Sequence, residues 1–522
     1  MTILPRCCLT LCLVMAPFTA VAQQDGTPLT AIDWLERALN TPQPPAVAPA
    51  PPDTASDTNA PILPDVHFEE IAVTPLTDAE QDSAGLFTAE RIGLPRDFWG
   101  PTPIPDIVEA IDKLPADTLP SAARLGLRLL MAEFAPPVDL SPATRGALLT
   151  ARVDKLIALG ALEQASQLIE AAQDTSAALR ARAFDIALLL GEEDRACHEM
   201  SGQVSAGEGQ AAQIFCMARR GDWQSAYSSL RVAKSLGMIT SSDAALLTRF
   251  LEEEELELTP PPPQTITPLG WRIMEALGDP VTTSGLPVAF AYADLRGTSG
   301  WRAQLDAAER LTRVEAMQPN RLFGLYTQRR AAASGGLWER VRAVQTLERA
   351  IAARDPASIS AELIRAWPLF TAAELESAFA TIHAETLADL ELGDEASQVL
   401  WEMLLLAQHR IDRAAMLSPE TGVARFVMAL AKGAPLPEIT TPPMAAAILL
   451  GFEDADLRDP VQAQLHDGEL GLILLGALEL VAQAAAGDLH AATQALQRLR
   501  ALGLEAEARQ IAVELMLLDR RG

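Results

Sequence analysis

From Pro120 onward, apolar positions recur at helical spacing in segments of helix length, each closed by glycine or proline. The runs "PSAARLGLRLLMAEF", from Pro120, and "PATRGALLTARVDKLIALG", from Pro142, are typical. Further segments begin at Ala161, near Ser176, at Glu192 and at Glu208, and others cover 299–317, 337–354, 371–390, 394–410 and 504–520. No segment alternates with the two-residue period of a strand, so the pattern predicts an all-α protein. The long apolar run Leu470–Gly487 is interrupted by Glu479 and Gln483 and predicts a buried central helix, with no membrane span.

The helical pattern repeats itself. "ARRGDWQSAYSSLRVAKSLG", from Ala218, and "AAAGDLHAATQALQRLRALG", from Ala484, share seven of twenty positions without a gap. Gly160, Gly191, Gly221, Gly487 and Gly503 are each followed five residues later by an alanine, namely Ala165, Ala196, Ala226, Ala492 and Ala508. The first three glycines stand 31 and 30 residues apart. Glycine lets a helix end in a left-handed turn, and alanine on the inner face of the next helix lets the pair approach closely. A helical hairpin recurring at this interval is the mark of stacked repeats.

In "GDWQSAYSSLRVA", Gly221, Asp222, Trp223, Ala226, Leu230 and Ala233 occupy the places of the glycine, acid, aromatic, small and bulky residues of a known motif. The stretch resembles the second-helix half of a tetratricopeptide repeat, and Gly160, Ala165, Ile169 and Ala172 match it without the acid and the aromatic. The resemblance implies a right-handed α-solenoid of stacked antiparallel hairpins with Trp223 in packing. The first-helix half of the motif is poorly matched, and the period fades between Thr259 and about Ala486. Over its whole length, the order "AIDWL", proline-rich spacer, "IAVTPL", "GLPRDFWG" and then hairpins is similar to a family of exported bacterial proteins, some of which carry an antifreeze-glycopeptide label. Ice binding needs a flat, regular array, and the threonines here are scattered.

The first residues add a destination. "MTILPRCCLTLCLVMAPFTAVAQQ" has one basic residue, an apolar run and a small-residue triplet ending at Ala22, the layout of a cleaved signal peptide over 1–22. A periplasmic protein is expected. From 23 to 101, proline, alanine and small polar residues predict a disordered tail. Within it, residues 30–40 predict a short helix that Thr30 caps, with Ile32, Leu35 and Leu39 on one face and Trp34 beside them, suited to docking on a partner. Trp99 stands where the tail meets the helices, either as an anchor or as an ordinary buried indole. The run over 259–268 is the expected joint between helical halves at 102–258 and 269–522.

The formal net charge of −28 in 522 residues argues against nucleic acid or an anionic membrane as partner. Signal cleavage leaves two cysteines, Cys197 and Cys216, which invite a disulfide in an oxidising compartment. They sit on consecutive predicted helices whose offset, counted from the helix ends, is roughly 7 Å, so a bridge and two separately buried thiols both remain open. The six histidines lack metal-ligand spacing, there is no CxxC pair, and neither GxxxxGK nor GxSxG occurs. No metal, cofactor or catalytic set is therefore expected. Together these features predict a non-enzymatic exported helical-repeat protein that binds a protein or peptide; the alternative is a cell-envelope, peptidoglycan-related enzyme or its accessory subunit.

Overall fold

The computed structural model describes residues 81–522 except 139, 142, 174–175, 201–208, 253–265, 454–458, 519 and 521–522. The expected signal peptide, the 30–40 helix with Ile32, Trp34, Leu35 and Leu39, and most of the 259–268 joint lie outside the described residues. Within them the chain is mostly α, with 24 helices. Beside these stands one parallel pair of two-residue strands, Phe87–Thr88 against Ala132–Glu133. No described helix is long and apolar enough to cross a membrane, and Leu470–Ala485 is a buried helix packed on Ile104–Asp112 and Pro120–Met131.

The hairpin turns share one construction. At Gly191 the N–H donates to the Leu188 carbonyl (3.3 Å) and the next N–H, from Glu192, reaches back to Ala187 (2.8 Å). This double closure requires a left-handed residue, and Gly160, Gly191, Gly221, Gly487 and Gly503 supply it with φ between +77° and +103°. Ala165, Ala196, Ala226, Ala492 and Ala508 are all buried. Where the sequence period fades, the same closure persists with other residues in the glycine's place. Glu315, Arg354, Glu374 and Gln408 take it at φ +60°, +52°, +55° and +55°, with bonds such as Ala316 N–H to Leu311 (3.0 Å) and Leu375 N–H to Phe370 (2.9 Å).

The expected extent of the tail is corrected by residues 81–101, which are folded. Phe98 and Trp99 are fully buried and meet Phe134 at ring separations of 5.1 and 5.5 Å. The Gly471 N–H donates to the Phe98 carbonyl at 3.2 Å, and a Cβ on Gly471 would lie 2.5 Å from the Trp99 ring. Two large aromatic side chains bury enough apolar surface to order a segment whose proline content reads as a tail. Arg152, also fully buried, ties the same segment to the body: its guanidinium donates to the carbonyls of Ala84, Leu130 and Ala132, each at 2.8 Å.

One apolar core takes residues from Ala89 to Val513, and so draws on both expected halves. A second core, from Phe184 to Met274, contains Cys197 on helix Glu193–Glu199 and Cys216 on helix Gln210–Arg219. The two cysteines are bonded, with Cα atoms 5.2 Å apart. The offset counted from the sequence assumed helices level at their ends, and these are not. The last helix, Glu505–Leu517, packs against Pro120–Met131, so the chain's final element meets one of its first.

Candidate functional site

The contact between the Pro120 helix and the closing helix is polar at its centre. Glu514 comes from the closing helix and is fully buried. Its carboxylate accepts from the Ser121 N–H (3.0 Å) and from the Ser121 hydroxyl (2.6 Å). Arg124, one turn along, donates to Ser121 Oγ at 3.0 Å and to Glu315 Oε1 at 3.0 Å, and lies 3.5 Å from Glu514. Two carboxylates and one guanidinium thus join the Pro120 helix, the turn after helix Trp301–Arg313 and the closing helix. Burial pushes the carboxyl groups of Glu315 and Glu514 above their ordinary range despite Arg124. Nearby, Arg520 donates to Glu376 at 2.5 Å, and burial raises that carboxyl too.

Beside this network opens a cleft of about 560 Å³. Arg124 and Arg128 face it from the Pro120 helix, Gln510 from the closing helix, Gln164 from helix Leu162–Ala172, and Glu315 and Gln318 from the turn after helix Trp301–Arg313. On two of the lining side chains, Arg128 Nε and Gln164 Oε1 are buried beneath the cleft surface without a hydrogen-bond partner among the described residues. The first is a donor and the second an acceptor. Gln510 spends its amide N–H groups on the Leu405 and Leu406 carbonyls, both at 3.4 Å. The cleft therefore has an amide-rich wall, with an unpaired donor and an unpaired acceptor buried just behind it.

The residues singled out in the sequence lie elsewhere. Gly160, Gly191, Gly221 and Gly487 shape turns, their alanine partners pack, and the Cys197–Cys216 pair staples the second core. Trp99 is a buried anchor. Trp223, expected in packing, is half exposed, with its ring 6.0 Å from that of Phe250. Among the described residues no three histidines, cysteines or acids are placed to hold a metal. His383 is buried against Phe323 and Phe379, and burial lowers it to about 4, so it is neutral at physiological pH.

The cleft residues went unnoticed in the sequence because each comes from a helix distant in the chain. Glu315 gave no signal in the sequence: it takes a left-handed turn without the glycine that marks the others, and no alanine follows five residues later. A non-glycine residue in left-handed backbone is uncommon enough to examine. Searches against family models, curated proteins and solved structures found no match.

Proposed function

We propose that this chain is an exported helical-repeat protein that binds a protein or peptide partner, and that the cleft beside Glu514 receives an extended segment of it. The observation that carries this reading is the unpaired Arg128 Nε–H with the unpaired Gln164 Oε1. Turned into the cleft, the two side chains would offer a donor and an acceptor to the carbonyl and the N–H of a peptide unit. Buried polar groups left unpaired cost free energy, about 1–3 kcal/mol each, and a ligand that pairs both recovers it. The glutamine-rich wall suits a backbone ligand, and the anionic surface argues against nucleic acid.

On this reading the hairpins follow one another in a right-handed, tetratricopeptide-like stack, bent far enough for its last helix to rest on the Pro120 helix. Its support is the repeated left-handed closure with a buried small residue five positions on. Export to the periplasm rests on the leader pattern of residues 1–22. Arg128→Ala combined with Gln164→Ala tests the reading in affinity purification from the cell envelope. A partner retained by the unaltered protein and depleted by the double variant supports it; the same proteins in the same amounts overturn it.

A second reading, a cell-envelope hydrolase, is favoured by one observation: Glu315 faces the cleft with its carboxyl raised by burial, as a general acid requires. Turnover of peptidoglycan fragments that disappears in Glu315→Gln would establish it in place of the first.

A further inference from the structure

A second cavity, of about 430 Å³, opens in the part of the molecule stapled by Cys197–Cys216. Its apolar lining includes Phe184, Met200, Met238, Ile239 and Leu269. Met200 directly follows the helix that carries Cys197, and Gly209–Gln213 lead into the helix that carries Cys216, so the disulfide fixes two of the cavity's walls relative to each other.

Two ionisable side chains of opposite kind line this cavity and make no hydrogen bond or ion pair among the described residues. Asp185, partly buried, makes no hydrogen bond or ion pair, and burial, helped by Asp243, pushes its carboxyl up to about 7 against the pull of the Arg182 charge. Arg180, five residues earlier on the same helix, Ala177–Leu190, is likewise unpaired. The other charges on the lining are engaged: Arg182 is held by both oxygens of Asp154 (2.7 and 2.9 Å), and Asp243 accepts from the Thr240 hydroxyl (2.8 Å). An unpaired carboxylate and an unpaired guanidinium over an apolar floor form the complement of one chemical class.

We propose that this cavity binds a free apolar α-amino acid, its ammonium on Asp185, its carboxylate on Arg180 and its side chain among Phe184, Met200, Met238, Ile239 and Leu269. A charged group desolvated against an opposite charge and an apolar body buried on an apolar floor add in one ligand, whereas each singly charged analogue leaves one protein charge uncompensated. The site shares no residue with the cleft, so it stands or falls independently of the peptide-binding reading.

Calorimetric titration of the full chain with leucine, methionine and phenylalanine tests the proposal, each beside the amine lacking its carboxylate and the acid lacking its ammonium. At least one amino acid should bind about tenfold tighter than both of its analogues. In Asp185→Asn that preference over the deaminated acid should vanish, and in Arg180→Gln the preference over the amine. No binding by any of the three amino acids to the folded protein overturns the proposal. So does equal affinity for all three forms, which would mark a merely apolar cavity, or a preference that survives both substitutions. The comparison of analogues on the unaltered chain remains decisive should a variant fail to fold.

Discussion

Beside Phe98 and Trp99, one buried arginine ties the N-terminal segment to the helical body. Arg152 is fully buried, and burial pulls its guanidinium down to about 10, still charged at neutral pH. Only a planar fork reaches three separate carbonyls, so lysine is no substitute. Arg152→Lys should lower stability by about 3 kcal/mol in urea denaturation, since it strands buried acceptors; a loss below about 1 kcal/mol would show that those carbonyls find other donors. Glu514 makes the opposite case. Its raised carboxyl means that the folded chain keeps a proton that the unfolded chain releases above its ordinary value of 4.5. Stability from this group is therefore greatest in acid and falls as pH rises through that window. Glu315 and Glu376 act in the same direction. The buried neutral His383 contributes with the opposite sign, so the test is the difference: between pH 5 and 7 the slope of urea midpoint against pH should be less negative in Glu514→Gln than in the unaltered chain. A more negative slope in the variant would reverse the assigned sign.

At the scale of the helix and its turn, the sequence is legible where glycine marks the turn and opaque where another residue does. The hairpins at Gly160, Gly191, Gly221 and Gly487 could be read directly, because glycine is the residue that left-handed backbone selects. The turns at Arg354, Glu374 and Gln408 have the same geometry without the marker, which is why the period fades over the middle of the chain. Arg354 is exposed. Arg354→Gly relieves left-handed strain at some cost in unfolded-chain entropy, and should raise stability by about 0.5 kcal/mol. A loss of stability on denaturation would mean that the arginine side chain contributes more than the backbone strain costs. The folded segment 81–101 was misread for a related reason: composition averages over proline and alanine, whereas Phe98 and Trp99 alone bring the burial.

For the whole molecule, helical content follows from local periodicity and was legible; the meeting of the Pro120 helix with the closing helix was not. Ser121 and Glu514 are 393 positions apart, and nothing in either neighbourhood names the other. The cleft depends on that meeting, since Arg124 and Arg128 line it from the Pro120 helix and Ala506, Glu507 and Gln510 from the last. Binding at the cleft is accordingly the claim to test first. The most direct measurement places a photo-crosslinking residue at Gln318, exposed on the cleft rim, or at Arg302, exposed outside its lining, in the intact cell envelope. The account predicts a discrete protein or peptide adduct from position 318 that position 302 does not give. Identical adducts from both positions, or none from 318, would contradict it.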